Sequence, residues 1–124
     1  MAQARLRFTW TLHFDGDHLM AAEVEPDVRR VLAFWVNHPI YRDKFTGLRI
    51  DGIALGFMQV QLTVIANDQW RCRQRSGWIS RALMSAAHVK YVEVAEPRQE
   101  RLPPHQHRGA RRFEAPKYTE AARG

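Results

Sequence analysis

Three arginines, the only cysteine and two tryptophans lie within the twelve residues NDQWRCRQRSGW, positions 67–78. Arginine forms charge-assisted, often bidentate hydrogen bonds with phosphate and carboxylate groups. If a helix begins near Asp68, its first backbone N–H groups would add to an anion site. Arg71, Arg73 and Arg75 would then spread around two turns, where cations oppose the helix dipole. Two interpretations stay open: nearby carboxylates neutralise these arginines, or the arginines bind phosphate or an acidic partner.

Two other groups of titratable residues could bind a metal ion. Residues 13–18, HFDGDH, place two histidines and two aspartates together, and Asp17 or His18 could also act as a general base. In the C-terminal part, His105 and His107 could direct two imidazoles at one ion. A polar turn explains the first group equally well, and a solvated, proline-flanked segment explains the second. Because the sequence also has no glycine-rich phosphate loop and no nucleophile elbow, we expect no metal site, no cofactor, no small-molecule substrate and no catalytic residue.

Length and composition predict one folded domain. The chain has 124 residues, of which 45% are hydrophobic, enough for a single core. Its longest apolar runs fall far short of the roughly 20 residues of a membrane helix, and no signal-peptide pattern precedes the first strand. The lone Cys72 cannot form an intrachain disulfide, which fits a reducing compartment, and we expect it to be a small core residue. We therefore predict a cytoplasmic protein without a membrane partner.

The first strand is predicted from strict alternation over residues 5–14, RLRFTWTLHF. One side of this strand is apolar and the other is polar. The apolar side is Leu6, Phe8, Trp10, Leu12 and Phe14, and the polar side is Arg5, Arg7, Thr9, Thr11 and His13. Such a strand should lie with one face on the core and the other exposed.

A helix is predicted to start at Pro26, a residue that suits the first helical position, because apolar residues then recur at helical spacing. It should end near Asn37, since His38 precedes a proline and is disfavoured in the helical conformation. The preceding residues 19–24, LMAAEV, fit either a short returning strand or a loop.

A hairpin is predicted in the middle of the chain. Asp51-Gly52 is a two-residue turn signal between apolar residues. From Met58 onward, however, the apolar residues occupy even-numbered positions, whereas those just after the proposed turn occupy odd-numbered positions. Both sets can face the core only if a bulge or bend at Gly56 shifts the alternation by one residue. A hairpin centred nearer Gly56 is the alternative explanation.

The fold class follows from the order of the elements. A second helix capped by Asn67 or Asp68 should carry a core stripe, and residues 88–94, HVKYVEV, should form the last strand. The expected stripe is Cys72, Ser76, Ile79, Leu83 and Ala86. The order βαββαβ predicts an α+β ferredoxin-like sandwich over residues 1–96, an antiparallel sheet with both helices on one face.

The uncovered face of that sheet is a candidate binding surface. It should combine Arg5 and Arg7 with Gln59 and Gln61, and so be mildly basic and rich in hydrogen-bonding groups. RNA-recognition domains share the predicted strand order but stack bases on sheet aromatics, whereas Phe8 and Trp10 should face the core here. Nucleic-acid binding, self-association and a merely solvated face all stay open for this surface.

Residues 97–124 are predicted to be an extended, basic arm. The chain carries a net charge of +6, and this segment has seven Lys or Arg against three Glu, leaving +2 for residues 1–96. It is rich in proline and has little periodicity. Its candidate anion-binding residues are Arg108, Arg111 and Arg112, and its candidate anchors for a partner are Leu102, Phe113 and Tyr118.

The segment NDQWRCRQRSGWISRALMSAA, followed in the chain by LPPHQHRG, resembles small uncharacterised proteins of actinobacterial phages. An aspartate-glutamine-tryptophan helix start and a proline-histidine-arginine-glycine tail recur in that group. The resemblance covers about half the chain and assigns no catalytic residue. It implies a viral protein in a bacterial cytoplasm.

Together these features predict a small non-enzymatic phage protein that binds a host or viral protein, or nucleic acid, through basic surfaces and the arm. A protein partner or self-association is favoured over nucleic acid. Two alternatives remain: a component of a virus particle whose arm docks on a neighbouring subunit, and a small dimeric ferredoxin-like enzyme.

Overall fold

A computed structural model describes residues 3–16 and 18–100. Within these residues the protein contains two helices and a sheet of five antiparallel strands, which confirms the α+β class. The elements are β1 Ala4–Phe14, α1 Ala21–Asn37, β2 Phe45–Ala54, β3 Phe57–Ala66, α2 Gln69–Met84, β4 Val89–Val94 and β5 Arg98–Gln99. Neither helix has the length and apolar composition needed to cross a membrane.

The strands lie side by side in the order β2-β3-β1-β4, and β5 also pairs with β1. The long central pair joins β1 to β3, from Ala4 opposite Ala66 to His13 opposite Phe57. The short strand β5 places Arg98 opposite Arg7. This strand was not predicted, and it lies inside the segment that we assigned to the arm.

One core lies between the sheet and the helices. The predicted alternation of β1 is confirmed, because its even-numbered residues are buried, Trp10 completely. Val24, Val28 and Leu32 of α1 and Cys72, Ile79 and Leu83 of α2 belong to the same buried cluster. Both helices therefore pack on the even-numbered face of β1 and leave the other face of the sheet uncovered by helix.

The predicted start of α1 at Pro26 is wrong, since the helix begins at Ala21 and contains Pro26 in its interior. Of residues 19–24, the last four are thus helical, whereas Leu19 and Met20 form the loop before the helix. Glu23 stabilises the helix start by accepting a hydrogen bond from the backbone N–H of Met20 at 3.2 Å. Burial of Val24 in the first turns offsets the hydrogen bond that proline cannot donate. The end at Asn37 was predicted correctly.

The predicted turn at Asp51-Gly52 is also wrong, and the alternative near Gly56 is correct. Asp51 and Gly52 lie within β2, opposite Gln59 and Met58 of β3, and the chain reverses at Leu55 and Gly56. Gly56 has φ of 93°, a conformation that glycine adopts without steric cost. The alternation of apolar residues shifts by one within β2 itself, next to Gly52, where the pairing of β2 with β3 is irregular.

Helix α2 matches its prediction closely. Asp68 is the N-cap and accepts a hydrogen bond from the backbone N–H of Arg71 at 2.8 Å. The predicted stripe is buried, although Ala86 lies just beyond the end of the helix. This stripe fixes which side chains of α2 face away from the sheet.

Candidate functional site

The site to which most of the predicted residues map is the side of the sheet opposite the helices, here called the open sheet face. Cross-strand partners point to the same side of a sheet. Opposite Arg7, Thr9 and Thr11 of β1 stand Thr63, Gln61 and Gln59 of β3. The structure therefore brings together the arginines and glutamines that were predicted to share this surface.

Arg7 holds three strands together on this face. Its guanidinium donates to Thr63 Oγ1 at 2.9 Å, to Gln61 Oε1 at 3.4 Å and to the Gly47 carbonyl oxygen of β2 at 2.8 Å. An arginine side chain has five N–H donors, so two remain for another ligand. Because these contacts fix the guanidinium, an anion that binds it would not have to order the side chain first.

Positive charge is concentrated at the end of the face where β1 begins. Arg98 of β5 lies opposite Arg7, and Arg5 lies on the next outward position of β1. Arg5 also contacts the Glu100 carboxylate at 3.6 Å. On the other side of β3, Arg49 pairs with Asp51 at 2.8 Å. This end of the open sheet face is therefore basic, because it carries Arg5, Arg7 and Arg98 but a single glutamate, Glu100, among the described residues.

A row of three aromatic rings crosses the opposite end of the face. His13 of β1 lies between Phe57 of β3 and Tyr91 of β4. The His13 and Tyr91 rings are parallel within 8° with centroids 4.2 Å apart, and the His13 and Phe57 centroids are 5.7 Å apart. His13 Nε2 also lies 2.7 Å from Glu93 Oε1. Tyr91, on the edge strand, is 44% exposed and presents an aromatic surface to solvent.

Sequence reasoning missed this row. It correctly placed Phe8 and Trp10 in the core, at 2% and 0% exposure, but it assigned neither Phe57 nor Tyr91 to the open face. The sequence does indicate that Phe57 lies on this face, because Phe57, Gln59 and Gln61 are alternate residues of one strand and so point to the same side. Tyr91 was not identifiable in this way, because its position depends on the register between β1 and β4.

The three arginines of α2 do not converge on one point. Arg71 Nε lies 3.3 Å from Asp68 Oδ2, and Arg73 Nη2 lies 2.9 Å from Glu96 Oε2. Arg75 donates to the Ile65 carbonyl oxygen at 2.8 Å. This arrangement favours local neutralisation of Arg71 and Arg73 over a shared anion site on the helix.

The predicted residues of the arm lie outside the part of the chain that the structure describes. They are Leu102, Arg108, Arg111, Arg112, Phe113 and Tyr118, together with the two histidines considered as metal ligands. The hypotheses that depend on them, including docking of the arm on a neighbouring subunit, stay predictions.

Residues 3–16 and 18–100 contain no group of three or more His, Cys, Asp or Glu side chains placed to hold a metal ion. Cys72 is fully buried, as predicted, and its burial raises the pKa of the thiol. Because a thiolate is the reactive form of cysteine, this position is unsuited to nucleophilic chemistry.

A concave site lies between the helices on the other side of the molecule. This interhelical pocket has a volume of 420 Å³ and is lined by Trp35, Tyr41, Trp78, Arg81 and Ala82. Its three aromatic rings meet at centroid distances between 5.0 and 6.3 Å. The pocket is thus a mostly apolar cleft with one cation at its wall.

The chain matches no protein-family model and no curated protein sequence. The open sheet face and the interhelical pocket are therefore the features from which a function can be proposed.

Proposed function

We propose that this protein is a non-enzymatic binding protein whose open sheet face binds single-stranded nucleic acid. The observation that carries the proposal is the row formed by Phe57, His13 and Tyr91, with Arg7 and Arg98 on the same face. Unpaired bases stack on aromatic side chains, and arginines contact the phosphates. One surface thus offers both of the interactions that a single strand requires.

The fold that we propose for the domain is a ferredoxin-like sandwich with β5 added. Support comes from the strand order β2-β3-β1-β4, with α1 connecting β1 to β2 and α2 connecting β3 to β4. RNA-recognition domains combine this topology with base stacking on the uncovered sheet face. The likeness is one of topology, and the ligand is proposed from the side chains of the face.

The polar residues between the two ends of the face suit the same ligand. Thr9, Thr11, Gln59 and Gln61 lie between the aromatic row and the basic end. Hydroxyl and amide groups can donate to and accept from base edges as well as from phosphates and sugars. A strand laid along β1 would meet the aromatic row with the neighbouring Glu93 carboxylate first, then hydrogen-bonding groups, and then the arginines.

This proposal ranks nucleic acid above a protein partner, the reverse of the expectation from sequence. The change rests on the aromatic row, because net charge on the described surface is small and cannot by itself favour phosphate. As the cellular setting we propose the cytoplasm of a bacterial host, with the resemblance of residues 67–87 to phage proteins as the support.

The proposal is tested by fluorescence anisotropy with labelled single strands of about 12 nucleotides, DNA and RNA, at ~50 mM salt. We expect binding whose log K falls with log salt at about 0.7 per phosphate contact. Tyr91→Ala should weaken binding by about 5- to 160-fold, the range for loss of one stacked base. Arg98→Gln should reduce the salt slope by about 0.7, the contribution of one phosphate contact.

Val94→Ala is the matched control for Tyr91→Ala. Val94 lies on the same edge strand and is 46% exposed, but it pairs with Trp10 and so belongs to the other face of the sheet. This variant should bind as tightly as the wild type. Absence of binding at low salt, or equal losses in the Tyr91 and Val94 variants, would exclude the open sheet face as a nucleic-acid platform.

A further inference from the structure

The outward side of α2 carries an exposed tryptophan. Trp70 is 65% exposed, the largest exposed fraction among the large apolar side chains of the described residues. It lies in the first turn of α2, away from the buried stripe of Cys72, Ile79 and Leu83. Exposed tryptophan at the surface of a folded domain is typical of interfaces, where its ring contributes much of the binding energy.

The interhelical pocket has the size and lining that an indole ring requires. Trp35 and Trp78 are stacked, with their planes inclined by 27°, and Tyr41 meets Trp78 nearly edge-on at 77°. An aromatic side chain entering the cleft could make offset-stacked and edge contacts with these walls. Arg81 at the wall can also place its guanidinium on the face of an entering indole.

Trp70 cannot fill the pocket of its own chain. Trp78 and Trp70 are eight residues apart on one rigid helix, so their backbones are separated by about 12 Å. The pocket lies on the side of α2 that faces α1, whereas Trp70 points outward from the first turn. A second copy of the chain can bring the two features together.

Gly77 is the residue of α2 that would permit close approach of another helix. Among the residues that the structure describes, a methyl group added at this position would meet no atom within 4 Å outside the adjacent residues and backbone of α2, so packing among them does not require glycine there. Glycine in the middle of a helix is less favourable than alanine. Without a side chain at residue 77, a facing backbone can approach this part of α2 more closely.

We propose that two copies associate through antiparallel α2 helices, and that Trp70 of each copy occupies the interhelical pocket of the other. In a two-fold pair, the axis passes midway between Trp70 and the facing pocket residues, Trp78 and Ala82, which places it near residues 74–76. Gly77 lies within one turn of that axis. One symmetric interface thus accounts for the exposed tryptophan, the aromatic pocket and the glycine.

The expected affinity is modest. Two buried tryptophans and their pocket walls account for about 600–1,000 Å² of total buried surface, at ~150–250 Å² per side. Stable interfaces bury at least ~1,200 Å², so contacts between the α2 backbones must supply the rest. We expect a dissociation constant on the order of 10 µM.

The dimer would extend the proposed function without depending on it. Its interface lies on the helix side of each domain, so both open sheet faces stay accessible, and a single strand could engage two of them. Self-association is measured without nucleic acid. Failure of the dimer therefore leaves strand binding by a single domain untouched, and failure of strand binding leaves the dimer untouched.

The test is sedimentation velocity of the full chain between ~1 and ~200 µM, a range that brackets the expected dissociation constant. Wild type should shift from monomer to dimer. Trp70→Ala and Ala82→Phe should each raise the dissociation constant at least about tenfold, the first by removing the inserted ring and the second by filling the pocket. Leu55→Ala, at a side chain 58% exposed in the β2–β3 turn, is the matched control and should dimerise normally.

Mixing the two defective variants gives the decisive measurement. A heterodimer of Trp70→Ala with Ala82→Phe keeps one intact insertion, because the tryptophan of the second variant enters the pocket of the first. Equimolar mixtures should therefore associate more tightly than either variant alone. Wild type that stays monomeric throughout, or a mixture that associates no better than its components, would overturn the proposal.

Gly77→Gln separates the dimer contact from the stability of the helix. Glutamine has the higher helix propensity, so the monomer should melt at a higher temperature than the wild-type monomer. The same side chain should obstruct the facing helix and weaken dimerisation at least about tenfold. Unchanged dimerisation in this variant would contradict the close approach at residue 77.

Discussion

The indole N–H of Trp10 donates a hydrogen bond to Ser80 Oγ at 2.9 Å. Trp10 is completely buried at the centre of β1, and Ser80 lies on the side of α2 that faces the sheet. Ser80 Oγ in turn donates to the carbonyl oxygen of Ser76, one turn earlier. This contact satisfies a polar atom of the core and fixes the rotation of α2 on the sheet, and with it the outward direction of Trp70.

Ser80→Ala should lower the free energy of unfolding by about 1–3 kcal/mol, because it leaves the buried Trp10 N–H without an acceptor. Urea unfolding followed by circular dichroism measures the loss. Ser85→Ala is the matched control, since Ser85 is exposed and its hydroxyl donates to the Ala82 carbonyl oxygen in the last turn of α2. Equal stability of the Ser80 and Ser85 variants would show that the Trp10 contact contributes nothing.

The helices and strands were predictable where the pattern of apolar residues is compatible with a single arrangement. The alternation around Trp10 and the stripe through Cys72 each allow a single orientation, so β1 and α2 were predicted closely. The predicted start of α1 was wrong because proline usually occupies the first turn of a helix. Here the hydrogen bond of Glu23 to the backbone and the burial of Val24 stabilise helical residues that precede the proline. At that point tertiary packing outweighed the positional preference of proline.

The binding surface was predictable only in part, for a similar reason. Parity within β1 and β3 places Arg7 and Gln61 on one face, and the structure agrees. The aromatic row requires the register of β4 against β1, in which Tyr91 stands opposite His13. Pairing between strands almost eighty residues apart is set by the whole fold and leaves no local trace in the sequence.

Asp27 should stabilise the protein in a pH-dependent way. A hydrogen bond from Arg30 and a second from the backbone N–H of Ala87, at 2.6 Å, hold the pKa of Asp27 below its usual value. A lowered pKa stabilises the folded state fully above the carboxyl pKa of the unfolded chain, about 3.9. This stabilisation is lost as the pH falls below that value and through the lowered pKa of the folded protein.

The measurement is the urea midpoint of wild type and of Asp27→Asn at pH 7 and at pH ~2. Wild type should be the more stable at pH 7, and the difference should shrink at the acid pH. Asp43→Asn removes another exposed carboxylate and controls for net charge at pH 7. A difference between wild type and Asp27→Asn that stays constant with pH would contradict a role for the charged carboxylate.

Cys72 should react with thiol reagents only when the protein unfolds. Its side chain is fully buried, and burial raises its pKa, so both access and thiolate formation are suppressed in the folded state. Labelling with a chromogenic disulfide should be slow in buffer and rapid in denaturing urea. Ser85→Cys in a Cys72→Ala background supplies an exposed thiol at the C-cap of the same helix and should react at once. Equally fast labelling of folded wild type would mean that α2 opens readily from the sheet.

The three arginines of α2 should differ in their effect on stability, because only one of them bonds to the sheet. Arg71 and Arg73 form exposed ion pairs with Asp68 and Glu96, and exposed pairs contribute about 0–1 kcal/mol. Arg75 instead bonds to the Ile65 carbonyl oxygen at the end of β3, with its guanidinium 6.0 Å from the centre of the Trp78 ring.

Arg75→Gln should therefore lower the free energy of unfolding by about 1–2 kcal/mol, by losing a charge-assisted hydrogen bond together with the contact to Trp78. Arg71→Gln and Arg73→Gln, measured by the same urea titration, serve as matched controls and should each change it by less than about 0.5 kcal/mol. Because Trp78 forms one wall of the interhelical pocket, Arg75→Gln should also weaken self-association. Equal losses for all three variants would mean that the arginines act through the helix start as a group, and that Arg75 has no separate role in joining α2 to β3.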